Sequence, residues 1–311
     1  MNFKYMLSTR ETKLKIRSIN NTKQITKAME MVSASKMRKS QLIALSSRSY
    51  CRNALEILGN LSAHTDYNLH PLLKKSTAGK TALLVITSDK GLCGGLNSSV
   101  LKKAQRFLDG KQIDVVAVGK KGRDFFSRRK FSVVASFTGI GDSVKIDDAA
   151  PISEALIDWY QEGKYSSITA VYTNFLSTLK QEAVVRQLLP ISIEGVKEIV
   201  AGIMPERGRY SNIEDEKKNA KFLYSYEYIY EPSAESVLNT LLPSLLHIQI
   251  YHMILEANAS EHSSRMVAMK NATESAQKLI DALTLSFNKV RQSAITKEIS
   301  EITAGSEALQ Q

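Results

Sequence analysis

Three kinds of residue in this 311-residue chain have the types to do chemistry: a glycine cluster, five histidines and two cysteines. The glycines stand in SDKGLCGGLN (88–97), after the apolar run TALLVIT (81–87) and before a polar helix-forming stretch. A strand–glycine–helix order brings backbone amides to a helix N-terminus, the usual seat of a bound phosphate. Gly91, Gly94 and Gly95 nevertheless match neither G-x-G-x-x-G nor G-x-x-x-x-G-K-[ST], and Lys90 precedes them instead of following. They fit a tight strand-to-helix turn better than a phosphate loop. His64 and His70 lie in a linker with no further ligands at metal-binding spacing. His252 and His262 fall in the seam of a long apolar stripe, where polar residues set register. Cys51 and Cys93 form no CxxC pair, which fits a reducing compartment without zinc or a disulfide framework. G-x-S-x-G, H-E-x-x-H and paired-carboxylate motifs are absent from the sequence. No catalytic residue, cofactor or metal is expected.

The elements that surround these residues are more telling. Steps of four and three from Ala234 read Leu238, Leu241, Leu245, Ile248, His252, Leu255, Ala259, His262, Met266, Met269 and Thr273. The same register continues through Ala276, Ile280, Leu283, Phe287, Val290 and Ala294. A strict seven-residue period on a helix of 3.6 residues per turn implies a left-handed supercoil against a second helix. At 1.5 Å per residue such a helix is roughly 90 to 110 Å long. Residues 8–60 predict the partner: Ser8 or Thr9 can cap it, Glu11 suits the first turn, and no Gly or Pro intervenes before Gly59. Its apolar positions, taken as Ile16, Ile19, Ile25, Met29 and Val32 and then Ile43, Tyr50, Ala54, Ile57 and Leu61, are less regular. Between the two helices the period changes to that of buried strands, at 81–87, 113–119, 132–137, 166–175 and 183–191. Helices are predicted at 98–109, 120–129 and 147–162. Strands alternating with helices imply an α/β layer on a largely parallel sheet. The expected domains are an N-terminal coiled-coil helix at 1–60, a linker at 61–80, an α/β domain at 81–231 and a C-terminal coiled-coil helix at 232–311. The polar stretch 191–226 reads as an inserted loop, and YSYEYIYEP (224–232) as an extended strand with an aromatic face.

Charge narrows the function. The net charge is +11, and residues 1–60 alone carry +9, while 232–311 carry −2. That asymmetry suits pairing of the two end helices and leaves positive charge for an acidic partner. A basic collar is expected where SASKMRKS (33–40) and Lys27 lie, with Lys36, Arg38 and Lys39 as its cations. A nucleic-acid binder is the alternative that the charge raises, but aromatic residues do not interleave with the basic ones. No run of 18 apolar residues occurs, so no spanning helix is expected. The start, MNFKYMLSTRETK, lacks an apolar signal core.

The residues ITKAMEMVSASKMRKSQ (25–41), SDKGLCGGLN, YEP (230–232) and RMVAMKNATESAQKLIDALTLSFNKVRQSAITKEISEITAG (265–305) resemble the γ subunit of F-type ATP synthases. The resemblance runs over nearly the whole chain in order. Ser306 departs from the usual Ala, and the 191–226 insertion, which sits where chloroplast forms carry a redox element, contains no cysteine. The resemblance implies an antiparallel, left-handed coiled coil of the terminal helices with a Rossmann-like α/β domain. It implies a central-stalk rotor without a catalytic site of its own, present in one copy per complex. Such a rotor couples ion-driven rotation of the membrane c ring to ATP synthesis or hydrolysis in an α3β3 hexamer, with ε alongside. It also regulates ATPase activity and proton flow, with protons or sodium as the coupling ion. By resemblance Met29, Arg265, Arg291, Gln292 and Thr296 meet the α and β subunits, and Tyr228, Tyr230 and Glu231 meet the c ring. No nucleic acid is implied. The expected location is peripheral, at the cytoplasmic face of a bacterial inner membrane.

Overall fold

A computed structural model describes residues 9–46, 53, 57, 70–74, 79–141, 144–192, 231 and 233–309. The predicted strand at 224–232, apart from Glu231, lies outside these residues, as do 193–226 of the insertion. Two compact units form: Met1–Val32 with Met266–Gln311, and Ser33–Arg265. The boundary falls within the C-terminal helix, not at its start.

In the larger unit, β1 (Lys80–Ile86), β2 (Ile113–Val118), β3 (Val133–Phe137), β4 (Tyr165–Phe175) and β5 (Gln181–Leu189) form one sheet in the order β3-β2-β1-β4-β5. The first four are parallel and β5 is antiparallel to β4. Alternation splits β1 between two cores. Leu83 and Val85 join one cluster with Val100, Leu101, Ala104 and Leu108 of α2 (Leu96–Leu108) and Phe126 of α3 (Lys120–Arg128). Leu84 and Ile86 join the other with Ile152 and Leu156 of α4 (Ala150–Gln161). With both sheet faces covered, the central strands β2, β1 and β4 are largely buried and mostly apolar, whereas the edge strands β3 and β5 keep exposed or polar positions. The 147–162 helix begins as a short 3-10 turn, Ile146–Ala149.

α1 (Thr9–Ser46) and α5 (Ala234–Leu309) are the terminal helices. The part of α5 inside the larger unit is not a simple seam. Leu242, Leu246, Ile250, Met253 and Ile254, which the predicted stripe omits, are buried in the second core beside Leu238, Leu245 and Leu255. Ile43 and Ala44 of α1 pack against that core as well. His70, placed by the sequence in a linker, is buried in a turn where its Nδ1 accepts from the Leu72 amide at 3.1 Å.

In the smaller unit the seam is real and antiparallel. Thr26 Oγ1 bonds Thr273 Oγ1 at 2.8 Å, and Lys23 bonds Gln277. Met269 and Ala276 are buried, and Met266, Ile280, Leu283, Phe287 and Val290 are half-buried, as the stripe predicts. On α1 the inward positions are Thr12, Ile16, Ile19, Lys23 and Thr26. Ile25 and Val32, predicted to face inward, are 60% and 53% exposed. Seven-residue register overrides apolarity here, because short hydroxyl side chains let two helices approach and satisfy each other.

One glycine fixes the edge where the site lies. Gly119, with φ of 92°, ends β2, and a Cβ on it would stand 2.1 Å from the Thr87 carbonyl oxygen. Gly119→Ala is expected to destabilise the chain by about 3 kcal/mol or more, since clash adds to backbone strain of order 1–3 kcal/mol. A shift of the urea midpoint measures this; an unchanged midpoint would show that the turn yields.

Candidate coupling site on the C-terminal helix

In open α/β sheets, ligands bind in the crevice at the carboxyl ends of the strands, where the strand order reverses. Here that place is between β1 and β4, and the chain itself fills it. Ile254, Ala257, Asn258 and Glu261 of α5 lie against Ile86, Ser88, Gly119 and Thr173. The remaining cavity of about 30 Å³ has room for one or two waters, whereas nucleotide-sized ligands need several hundred.

The SDKGLCGGLN loop supplies the grip. Thr87 Oγ1 accepts from the Gly122 amide at 2.8 Å, and Asp89 Oδ1 accepts from the Lys120 amide at 2.8 Å. The two side chains thus cap the first turn of α3, where a bound phosphate would otherwise sit. Asp89 Oδ2 also accepts from the Gly139 amide at 2.8 Å. Asn97 bonds both the amide and the hydroxyl of Ser88, at 3.1 and 2.7 Å, closing the loop on itself. Leu92 and Gly94 adopt φ of 61° and 59°. In the loop so shaped, the carbonyls of Gly91 and Cys93 both accept from α5. Arg265 Nε and Nη2 donate to the Gly91 carbonyl at 3.3 and 3.2 Å, and Ser264 Oγ donates to the Cys93 carbonyl at 2.8 Å.

Two further edge loops hold the same stretch of helix. Ser263 Oγ donates to the Thr178 carbonyl at 2.7 Å, and Asn258 Nδ2 donates to the Gly141 carbonyl at 3.4 Å. Arg265 is 6% exposed; it pairs with the Glu261 carboxylate and lies 3.3 Å from His262 Nδ1. Between two and three turns earlier, Glu256 is buried against Arg186 of β5 and Tyr172 of β4, and desolvation lifts its carboxyl to about 7, against the pull of both partners. The loops that close on a ligand in a nucleotide-binding domain close here on a helix. Sequence reasoning found the turn but missed the clamp, because its acceptors are backbone carbonyls.

The other predicted site residues are spread along the helices. Met29 is half-buried, and Lys27 is exposed and paired with Glu30 at 3.1 Å. Lys36 is half-buried, while Arg38 and Lys39 are exposed. Arg291, Gln292 and Thr296 are exposed on α5, and Glu231 is exposed; Tyr228 and Tyr230 lie outside the described residues. A feature that the sequence reading passed over accompanies the α5 residues. Ile295, Ile299 and Ile302, spaced four and three apart, are 48%, 58% and 66% exposed and form an apolar stripe. Their spacing continues the helical period and was there to be read.

A family model described as ATP synthase matches residues 8–309. The ATP synthase gamma chain of Chloroflexus aurantiacus is 42% identical, covering 98% of this chain and 99% of its own length. That of Moorella thermoacetica is 40% identical, covering 98% and 100%. Among solved structures, a chain of the central stalk and c ring of the Tetrahymena thermophila mitochondrial ATP synthase matches with a TM-score of 0.56 at 26% identity, over 80% of this chain and 99% of that one. A chain of the Euglena gracilis mitochondrial enzyme matches with a TM-score of 0.64 at 17% identity, over 97% and 94%.

Proposed function

Since this chain belongs to the ATP synthase gamma chain family, we infer that its working form is the central-stalk rotor of a rotary ATP synthase. The observation that carries this reading is α5. One uninterrupted helix holds a segment gripped on several sides, around 251–265, and a segment bare of such grip, from Arg291 on. A rotor needs both. The gripped part takes up torque from the α/β unit, and the bare part works against a surrounding sleeve.

Its partners are the α and β subunits, ε and the c ring. Ion-driven turning of the ring rotates the α/β unit, and α5 with α1 carries the torque to the α3β3 hexamer. There an asymmetric surface favours a different conformation at each of the three catalytic sites, by differential contact with each state. Arg291, Gln292 and Thr296 meet the β subunits, and Ile295, Ile299 and Ile302 meet an apolar sleeve. Met29 and the cations Lys27, Arg38 and Lys39 face acidic loops of the hexamer, with Lys36 at their edge. Arg265 serves this contact from beneath, as a positioning residue. Glu231, Tyr228 and Tyr230 face the c ring. The filled crevice supports a subunit without a catalytic site of its own. No helix among the described residues is long and apolar enough to cross a membrane. A peripheral place on the cytoplasmic face of a bacterial inner membrane accords with the bacterial source of the relatives.

Co-purification tests the reading. The chain is expected at one copy per three α and three β subunits, and a chain that never enters that complex would refute it. Arg291→Ala with Gln292→Ala is expected to lower coupled ATP turnover about tenfold, equivalent to about 1.4 kcal/mol. Melting of the α/β unit should be unchanged. Full activity in the assembled complex would show that these contacts are dispensable.

A further inference from the structure

The larger unit is electrically divided by its sheet. Residues 96–131 carry ten Lys/Arg against Asp109, Asp114 and Asp124, a net of +7 out of the chain's +11. Charge summed over the whole span between the end helices hides this density, because residues 146–162 hold five carboxylates and no cation. The fold turns that sequence contrast into a spatial one. α2 and α3 pack on one core, and α4 packs on the core across the sheet.

On the α2–α3 face every one of the ten cations except Arg123 is exposed, among them Lys102, Lys103, Arg106, Lys120, Lys121 and Arg128. Asp124 and Arg123 pair at 2.8 Å and cancel, which leaves the nine exposed cations against Asp109 and Asp114. Cations this closely spaced repel one another in the isolated chain, a cost that an opposing negative surface removes.

We propose that the α2–α3 face docks a carboxylate-rich surface of another protein, at a site separate from the rotor's helical contacts. Three observations select a protein over a lipid or nucleic-acid surface. The apolar side of each helix is spent on the sheet core, and no large hydrophobic residue between Leu92 and Val134 is exposed. Insertion into a bilayer interface requires such residues. Phe107 and Phe125 are half-buried and covered by cations, with Lys111 Nζ 4.7 Å and the Arg129 guanidinium carbon 3.8 Å from the ring centroids, so neither ring is open to stack a base. Exposed lysines and arginines dispersed over the two helices instead suit an opposing array of carboxylates, and their field speeds encounter. The proposal goes beyond the rotor reading and can fail while that reading stands.

Zero-length carbodiimide cross-linking of the purified complex tests it, because the reagent joins a lysine only to a carboxylate already in contact. Lys102, Lys103, Lys120 or Lys121 is expected in an amide with Asp or Glu of another subunit. Those links, and no others, should disappear in K102Q/K103Q/K120Q/K121Q, whose circular dichroism should match the parent chain. If these four lysines stay unlinked while Lys27 or Lys39 is joined to another subunit, the proposal is overturned and the rotor reading is untouched. Binding of the full chain to phosphatidylglycerol vesicles or to a double-stranded DNA oligomer at physiological salt, abolished by the same substitutions and without intersubunit links, would also overturn it. If the quadruple variant fails to fold, the links in the unsubstituted complex decide.

Discussion

Arg265→Ala is expected to lower the stability of the chain by about 3–5 kcal/mol, the usual cost of breaking a buried ion pair from one side. The residue's neighbours explain the size. Removing the guanidinium leaves the Glu261 carboxylate buried without its cation and strips the Gly91 carbonyl of two donors. Arg265→Lys should recover little, since one ammonium cannot reproduce the fork that spans a carbonyl and a carboxylate. Adding Glu261→Gln to Arg265→Ala should restore part of the loss, because it removes the stranded charge. The resulting coupling energy, read from urea unfolding of the four chains, measures the clamp directly. An Arg265→Ala chain within 1 kcal/mol of the parent would mean that the clamp does not hold the helix.

The second large effect depends on pH. Burial raises the Glu256 carboxyl from an ordinary 4.5 to about 7, so the folded chain binds this proton more tightly than the unfolded one. The sign follows from that order. The stabilising contribution is complete below pH 4.5, and it is lost as pH rises through 7. Glu256→Gln keeps the neutral shape at every pH. It is therefore expected to match the parent chain near pH 4.5 and to exceed it above pH 7, by up to about 3 kcal/mol. Arg186 is half-buried with its Nη1 buried, and losing its carboxylate neighbour offsets part of this gain. Thermal melts across pH 4.5 to 8.5 check this, and a difference independent of pH would contradict it. Glu256 thus joins the helix to β4 and β5 through Tyr172 and Arg186, and its charge weakens the fold above pH 7.

These two residues also show where sequence reading stops. The three central strands were legible because a sheet covered on both faces demands apolar runs, and the alternation of Leu83 with Leu84 then splits them between the two faces. The lower seam of α5 was legible from its period alone. Its partner strip was not, because Thr12 and Thr26 occupy positions at which apolarity was sought, while Leu14, Ile25 and Val32 point outward. The segment LLPSLLHIQIYHMIL (241–255) is apolar on more than one side, a sign of a helix sunk into a core that a seven-residue stripe does not reveal. The clamp was hidden for a different reason. Gly91 and Cys93 act through carbonyls that every residue possesses, and only the left-handed backbone at Leu92 and Gly94 makes them available. Arg265 and Glu261 were visible as an i, i+4 pair, but nothing in the sequence marked them as buried.

The most direct measurement of the rotor claim is rotation itself. With an α3β3 complex of this chain, free of the c ring, immobilised through its β subunits and a bead attached at Glu231, substituted by cysteine for coupling and exposed in the isolated chain, added ATP should turn the bead in one direction. It should pause once for each of the three catalytic sites per revolution. A bead that stays fixed while the same complexes hydrolyse ATP would contradict the account.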